Sequence, residues 1–449
     1  MSRTVIENAY IATVDPVGTE HERGHLVIDG SRIAAVGAGD APAALLEGAQ
    51  RLDGRGHLLT PGLINTHHHL YQWLTRGWAQ DSILFDWLVA LYPAWARIDA
   101  ELVHDGAAGA LAVLARSGCT TVADHHYVFP HGAGDILGGI VEAAGEVGVR
   151  LTATRGSMDL GESDGGLPPD FAVETTDAAL EASAEAVRRF HDPAADAMVQ
   201  LAIAPCSPFS VSTALLRESA TLARGLGVRL HTHGSETVEE AAYTRERFGM
   251  APTDYLESVG WLAEDVWMAH CVHLDGHDVA RFAASGTGVA HCPSSNARLA
   301  AGTAPVPALL AAGVPVGLGV DGAASNESGQ LGAELRAAVL ANRLAWGASA
   351  MSGRDALRIA TIGGARVLGR DAALGSLEPG KLADLALWRI DGVEHAGIAD
   401  PLAALTLGSQ PPLAGLWVNG EAVLRDGELL HADGRELARR AAVASAGLR

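Results

Sequence analysis

The sequence predicts a (β/α)8 barrel (TIM barrel) joined to a small β-sandwich domain that is formed from both chain termini. Between residues 58 and 320, eight short apolar runs alternate with segments of helical period. Both ends of the chain instead carry short β patterns and tight turns. Continuous apolar strands that alternate with helices indicate a parallel sheet covered by helices, and eight such units close into a barrel.

The candidate barrel strands are rich in β-branched and apolar residues. They lie at residues 58–65, 120–124, 149–154, 199–204, 228–232, 266–269, 288–290 and 314–320. Examples of the intervening helical segments are residues 105–116, 179–190, 213–226 and 275–284. Glycines typical of helix C-termini follow such segments at Gly118, Gly148, Gly227 and Gly286.

The flanking segments have a different pattern. Strand-like stretches lie at residues 4–13, 25–36, 382–389 and 416–425, and Asn419-Gly420 is a hairpin signal. The two ends of a compact chain often lie close together. We therefore expect residues 1–59 and 371–449 to form the β-sandwich domain, and residues 60–370 to form the barrel.

Composition limits the partners of this chain. Its 449 residues include 53 acidic and 32 basic side chains, which gives a net charge of -21 at pH 7. Such a field repels phosphate, so nucleic acids and anionic membranes are excluded as expected partners. The sequence contains neither a signal-peptide pattern nor an apolar run long enough to span a bilayer, and its four cysteines are scattered. A cytoplasmic enzyme with a small-molecule substrate is predicted.

Histidines and an aspartate at the ends of the predicted strands indicate a metal site at the barrel mouth. His67 and His69 have the same orientation because side chains alternate along a strand. His233 and Asp321 are predicted to complete the site, since catalytic zinc takes about three or four protein ligands. His231 has the same parity as His233 but lies deeper. An ionised Asp321 in an apolar strand costs several kcal/mol unless it is paired or bound to a metal.

Other residues near the predicted mouth admit two interpretations. One set of histidines is either structural or in contact with substrate: His125, His126, His273 and His291. One set of tryptophans either covers a flat ligand or forms a satellite core: Trp73, Trp78, Trp87 and Trp95. A single histidine in an apolar strand is more often a hydrogen-bonded core residue, so the metal prediction depends on the whole set.

Several motifs carry a family resemblance. They read PGLINTHHH at 61–69, HGSE at 233–236, AHC at 269–271, HCPSSN at 291–296, GVDG at 319–322 and GSLEPGKLAD at 375–384. With these motifs the chain resembles the amidohydrolase superfamily, specifically its aminohydrolase branch of cytosine, guanine, S-adenosylhomocysteine and triazine deaminases. The resemblance covers essentially the whole chain and implies a barrel with a β-sandwich.

The resemblance also implies one divalent metal ion held by His67, His69, His233 and Asp321. Binuclear members of the superfamily usually bridge their metals with a carboxylated barrel lysine. The only lysine here, Lys381, lies outside the predicted barrel, so a mononuclear site follows. Zn²⁺ is expected, with Fe²⁺ as the alternative, because the ligand set suits both ions.

Shorter motifs refine the resemblance. HHHLYQ at 67–72, RGSM at 155–158, DGGLPPD at 164–170 and APCSPF at 204–209 look most like the 8-oxoguanine deaminases. Gly234-Ser235 and the AASNE stretch at 323–327 depart from the pattern. The resemblance implies hydrolytic deamination of an aminated nitrogen heterocycle, with 8-oxoguanine giving urate and ammonia.

In the chemistry that the resemblance implies, the metal lowers the pKa of a bound water from about 15.7 toward 7. Asp321 accepts the water proton, His270 orients the nucleophile, and Glu236 protonates the ring nitrogen. Gln72, Arg155, Cys206 and Asn296 are expected to bind the substrate. Arg155 has an alternative role as an ion-pair partner of Asp159 or Glu162.

Three other functions remain open at this point. A triazine or pterin aminohydrolase, acting on isoxanthopterin or a hydroxyatrazine-like compound, would use the same metal core with different loops. A cyclic-amide hydrolase of the wider superfamily is disfavoured, because lysine-bridged binuclear centres are common there. A non-catalytic barrel that only binds a ligand is disfavoured by the presence together of Glu236, His270 and Asp321. Members of the branch are often dimers or larger, so a homo-oligomer is expected.

Overall fold

The computed structural model describes residues 3–449 and contains a barrel and a separate β-sheet. The strands are β1 Thr4–Ala12, β2 Glu20–Asp29, β3 Arg32–Ala38, β4 Gln50–Asp53, β5 His57–Pro61, β6 Leu63–Asn65, β7 Cys119–His126, β8 Arg150–Ser157, β9 Val199–Pro205, β10 Arg229–Gly234, β11 Val266–His270, β12 Gly288–His291, β13 Val316–Leu318, β14 Leu385–Arg389, β15 Leu413–Val418, β16 Glu421–Arg425 and β17 Glu428–Leu429.

Strands β6 to β13 form a closed barrel in which every neighbouring pair is parallel. Strands β1 to β5 and β14 to β17 form a nine-stranded mixed sheet. The predicted barrel and the predicted β unit built from both termini are therefore confirmed. The exact domain limits, residues 1–59 with 371–449 and residues 60–370, stay a prediction.

The helices cover the barrel and connect its strands. They are α1 Ala43–Leu46, α2 Leu84–Trp95, α3 Ala100–Arg116, α4 Ile136–Val147, α5 Thr176–Phe190, α6 Thr213–Leu226, α7 Val238–Phe248, α8 Pro252–Ser258, α9 Gly276–Ser285, α10 Pro293–Arg298, α11 Val306–Ala311, α12 Leu331–Trp346, α13 Gly353–Arg358, α14 Gly364–Val367, α15 Pro401–Thr406 and α16 Gly434–Gly447. Short 3-10 helices span Leu70–Thr75, Glu162–Asp164 and Asp170–Ala172, and a π-helical turn spans Ile359–Gly363. No helix among residues 3–449 is long and apolar enough to cross a membrane.

One predicted strand is wrong in its extent. The segment 58–65 is divided, because β5 pairs with β1 and β14 in the terminal sheet while β6 enters the barrel. Gly62 lies at the division, where a Cβ atom would approach Thr120 Cγ2 to 2.2 Å. Only glycine therefore lets the chain pass this close to β7 as it turns from the sheet into the barrel.

A buried ion pair joins the barrel to the terminal sheet. Arg150 is the first residue of β8. Its guanidinium contacts the carboxylate of Asp384 at 3.1 Å and donates to the carbonyl oxygen of Ala197 at 2.6 Å. Asp384 also accepts the backbone N–H of Asn419 at 2.7 Å. Asn419 and Gly420 both have positive φ and form the predicted hairpin turn between β15 and β16. These contacts fix the sheet against the N-terminal end of the barrel strand.

Candidate metal and active site

Four side chains converge at the C-terminal end of the barrel. His67 and His69 follow β6, His233 lies in β10, and Asp321 follows β13. Asp321 Oδ1 lies 3.2 Å from His67 Nε2 and 3.3 Å from His69 Nε2. The Nε2 atoms of His69 and His233 are 3.2 Å apart. The four residues that sequence analysis proposed as ligands therefore lie close together, in two overlapping groups: His67, His69, His125 and His233 form one, and His67, His270 and Asp321 form the other.

Hydrogen bonds at Nδ1 fix the orientation of two of these rings. Nδ1 of His69 donates to the carbonyl oxygen of His125 at 2.6 Å. Nδ1 of His233 donates to the carbonyl oxygen of Cys206 at 2.6 Å. Because a carbonyl oxygen only accepts, Nδ1 carries the proton in each ring, and the Nε2 lone pairs are directed toward each other.

The third ring is oriented through a histidine relay. His231 donates from Nδ1 to the carbonyl oxygen of Trp267 at 2.9 Å, so its Nε2 is an acceptor. That acceptor lies 2.8 Å from Nδ1 of His67. The relay leaves Nε2 of His67 as a lone pair, and this buried atom has no hydrogen-bond partner. The deeper histidine of β10 thus supports a candidate ligand, as the outer partners of metal-bound histidines do.

This geometry fits a metal ion. The Nε2 atoms of His69 and His233 both carry lone pairs, so no hydrogen bond can join them. They nevertheless lie only 3.2 Å apart. A zinc ion that binds nitrogen at about 2.0–2.1 Å in a tetrahedral site would hold two ligand atoms about 3.3 Å apart. Burial lowers the pKa of His233 to about 3, which keeps the ring neutral. The structure thus contains a buried His/Asp cluster suited to a metal.

Asp321 is held in its ionised form by its surroundings. Burial acts to raise the pKa of this carboxyl, but the pKa lies well below its usual range. Its Oδ2 accepts hydrogen bonds from Ser295 Oγ at 2.5 Å and Ser325 Oγ at 3.1 Å. Its backbone adopts a left-handed conformation with φ of 63°, a strained state that is common at functional sites.

Glu236 and His270 lie beside the cluster. His270 Nε2 is 3.6 Å from Glu236 Oε1 and 4.0 Å from Asp321 Oδ2. Burial raises the pKa of Glu236 well above its usual value, and the nearby Asp321 and Glu240 add to the effect. The raised pKa favours the protonated form of Glu236, which can donate a proton.

A cavity opens onto these groups. Its floor is polar and its outer walls are apolar. The residues that line it are His69, Gln72, Leu84, Trp87, Leu88, Tyr92, Tyr127, Cys206, Phe209, His233, Glu236, His270, Leu299 and Asp321. Helix α2 supplies four of these lining residues, so the ligand would lie between this helix and the barrel mouth.

Two of the four residues predicted to bind substrate line the cavity, and two do not. Gln72 and Cys206 line the cavity. Asn296 does not line it; its Oδ1 accepts from Nδ1 of His270 at 2.9 Å and so orients that ring. Arg155 also lies outside the lining and forms an ion pair with Glu174 at 2.7 Å. Sequence analysis had offered Asp159 or Glu162 as the ion-pair partner of Arg155, and neither of these pairs forms.

Strand alternation explains the position of Arg155. In the β7–β8 pairing, His125 is opposite Thr154 and His126 is opposite Arg155. His125 packs against the ring of His233 inside the barrel, with 4.8 Å between ring centroids. Arg155 has the opposite parity and points out of the barrel. Its guanidinium lies 3.7 Å from the ring centroid of Phe129.

Two of the four histidines with two interpretations have hydrogen-bond contacts in the barrel. His125 Nε2 is 3.0 Å from the carbonyl oxygen of Ala204, and His126 Nε2 is 2.7 Å from that of Val128. Of the four tryptophans, only Trp87 lines the cavity. Sequence analysis missed most of the apolar wall, namely Leu84, Leu88, Tyr92, Tyr127, Phe209 and Leu299. Nothing in their local pattern distinguishes them from core residues.

The chain matches the model of the amidohydrolase family over residues 58–429. It is 47% identical over 412 residues to an 8-oxoguanine deaminase from Pseudomonas aeruginosa, which covers 91% of this chain and 90% of that protein. It is 36% identical over 434 residues to an isoxanthopterin deaminase from an unknown prokaryotic organism. That match covers 91% of this chain and 89% of the relative.

A solved structure has the same architecture and holds a metal. The atrazine chlorohydrolase of Arthrobacter aurescens, complexed with zinc, superposes with a TM-score of 0.93 at 33% identity and covers 98% of this chain and 100% of that one. The family match spans more than half of this chain, and the relatives span nearly all of it. The chain therefore belongs to the amidohydrolase family and is a hydrolase of the aminohydrolase type.

Proposed function

We propose that the protein is a metal-dependent 8-oxoguanine deaminase, which adds water at C2 of the purine and releases urate and ammonia. The relative from Pseudomonas aeruginosa, 47% identical, carries that activity in its name. One observation carries the proposal: Glu236, a buried acid whose pKa is raised, lines the same cavity as His69, His233 and Asp321. Hydrolytic deamination requires an acid and an activated water on one ring.

The candidate ligands would hold one divalent ion, Zn²⁺ in our proposal, with Fe²⁺ as the alternative. When bound there, the ion would supply Lewis-acid activation of water. Asp321 takes a proton from the attacking water, and Nε2 of His270 orients that water. Glu236 gives its proton to the ring nitrogen next to the attacked carbon, so the ring accepts the nucleophile without building a full anion.

Gln72 is the group that fits the edge of the purine. Its Oε1 and Nε2 are both buried and have no hydrogen-bond partner, although the residue lines the cavity. Unpaired buried polar atoms cost about 1–3 kcal/mol each, so a ligand that supplies one donor and one acceptor is favoured. The lactam edge of 8-oxoguanine, an N–H beside a C=O, supplies both.

The outer walls favour a free base over a nucleoside. Leu84, Trp87, Leu88, Phe209 and Leu299 form an apolar surface above the polar floor. A ribose attached to the base would place its hydroxyls against this surface, where they would lose water without gaining partners. A planar base would instead bury both faces against aromatic and aliphatic side chains.

A substrate panel tests the proposal. Metal-loaded protein is assayed for ammonia release from 8-oxoguanine, guanine, 8-oxoguanosine, isoxanthopterin and a hydroxylated aminotriazine, with metal content measured on the same sample. We expect the highest kcat/KM with 8-oxoguanine and little activity with its nucleoside. A higher kcat/KM with any other member of the panel would contradict the substrate proposal, and no ammonia from any member would contradict deamination itself.

Isoxanthopterin is the second candidate substrate. It carries the same aminated lactam ring as 8-oxoguanine, so Gln72 and Glu236 would meet the same atoms. The larger second ring must then fit against helix α2, and the relative that is 36% identical carries this activity in its name. The ratio of the two kcat/KM values decides between these substrates.

A further inference from the structure

Glu240 is a buried carboxylate directly behind the loop that carries Glu236. It lies in the first turn of α7 and is 0% exposed. Its Oε1 accepts the backbone N–H of Ser235 at 2.9 Å, and its Oε2 accepts the backbone N–H of Glu236 at 2.8 Å. Both carboxylate oxygens are thus used on two consecutive peptide groups of the active-site loop.

Helix capping alone does not account for these contacts. The side chain of Thr237 already caps α7 by accepting the N–H of Glu240 at 3.3 Å. In a capping box, the glutamate at this position returns to the N–H of the cap residue itself. Glu240 instead reaches past Thr237 to the two residues before it, where the catalytic candidate Glu236 is located.

The carboxylate has no cationic partner to explain its burial. Among residues 3–449, no arginine, lysine or histidine lies within ion-pair distance of Glu240. Burial raises the pKa of Glu240, and the N–H groups of Glu236 and Ser235 act against that rise. A buried carboxyl without a counterion opposes folding, so its contacts must serve the site that they hold.

The loop also needs external support because its backbone is strained. Ser235 has φ of 51°, a left-handed conformation that a non-glycine residue rarely adopts. The N–H of His273 donates to the carbonyl oxygen of Ser235 at 2.9 Å from the opposite side. The peptide between Ser235 and Glu236 is therefore fixed at its carbonyl by His273 and at its N–H by Glu240, which also holds the N–H of the peptide before it.

We propose that Glu240 is a positioning residue for proton transfer, which holds the Glu236 carboxyl where it meets the substrate nitrogen. This inference rests on the proposed function, because Glu236 acts as the proton donor only there. Glu240 touches neither the cavity nor the metal candidates. Its effect passes entirely through the backbone of residues 235 and 236.

The first test is Glu240→Gln in the full-length, metal-loaded enzyme. A glutamine amide has one oxygen, so one of the two N–H groups of the loop loses its acceptor and faces an NH₂ donor. Displacement of a catalytic group by about 1 Å can cost about 100-fold in rate. We expect kcat to fall by about 10- to 100-fold, while KM changes less than about threefold and metal content stays equal to wild type.

A double variant separates positioning from general destabilisation. If Glu240 acts through Glu236, adding Glu240→Gln to Glu236→Gln lowers kcat no further. A further loss as large as the one seen in the wild-type background would overturn the inference. The matched control is Thr175→Ala, which removes the side-chain cap of α5 by breaking its hydrogen bond with the N–H of Ala178. We expect Thr175→Ala to lower Tm about as much as Glu240→Gln does, while its kcat stays equal to that of wild type.

Amide hydrogen exchange keeps the inference separate from the proposed function. In Glu240→Gln, exchange of the Ser235 and Glu236 amides should become faster than in wild type, whatever substrate the enzyme uses. Unchanged exchange at these amides would refute the positioning role. An enzyme that deaminates no member of the panel but shows the faster exchange would refute the proposed function and keep the structural link.

Discussion

Replacing Gly322 with alanine would test whether the amide of Gln72 recognises the heterocycle. A Cβ atom at position 322 would lie 1.8 Å from Gln72 Oε1 and 2.4 Å from its Cδ. Real Cβ contacts essentially never fall below 3.0 Å, so the amide must move by at least 3.0 minus 1.8, or 1.2 Å. A shift of this size breaks hydrogen bonds between Gln72 and a ligand in the cavity.

The magnitude follows from the two bonds that we assign to Gln72. A neutral hydrogen bond contributes about 0.5–1.5 kcal/mol, so losing both amounts to about 1–3 kcal/mol. A change of that size corresponds to about a 5- to 150-fold decrease in kcat/KM. Metal content should not change, because the atoms that the new methyl group approaches most closely belong to Gln72, which is not a candidate ligand.

The assay is ammonia release from 8-oxoguanine, measured together with Tm and metal content. Gly322 also donates its N–H to Asp321 at 2.7 Å, so the alanine could act through the carboxylate instead. Gln72→Ala distinguishes these routes, since it removes the atoms that the methyl group meets. Gly322→Ala should be nearly neutral in the Gln72→Ala background. An equal decrease in both backgrounds would refute the role of Gln72.

Two further predictions concern the acid and the ligand relay. Glu236→Gln should retain the metal but lose about 100- to 10,000-fold in kcat. Burial raises the pKa of Glu236, and its protonated form is the donor, so wild-type kcat/KM should fall as pH rises through that pKa. Glu236→Gln should lack this decrease at high pH. If the variant retains it, the decrease belongs to another group. His231→Leu removes the acceptor of His67 Nδ1–H and should weaken metal binding by about 10- to 100-fold in a chelator competition. His231→Gln, which keeps an acceptor, should bind more tightly than His231→Leu, and equal affinities would contradict the relay.

The sequence was sufficient to predict which strand ends meet. Alternation continued past the end of β6 predicts His67 and His69 on one face, and the parallel order of a closed barrel brings the ends of β10 and β13 to the same rim. Both rules act on the backbone alone. For that reason the convergence of His233 and Asp321 with the histidine pair could be anticipated, including the deeper position of His231.

Other features depend on side-chain direction and loop packing, which the local pattern does not contain. Arg155 lies near the C-terminal end of its strand, as His233 does, but its parity relative to the barrel interior turns it toward Glu174. Leu84 and Tyr92 look like ordinary apolar residues of a helix, and only the docking of α2 over the mouth places them on the cavity wall. The division of segment 58–65 likewise depends on contact between Gly62 and a distant strand.

The pairing of β5 has a consequence for biosynthesis. Strand β5 lies between β1 and β14, and β14 leaves the ribosome only after every barrel strand has been made. Throughout translation of the barrel, the strand that immediately precedes β6 thus has an edge with no neighbour. Unpaired edges attract other chains. Until β14 has been made, β5 is therefore open to pairing with a chain other than its own.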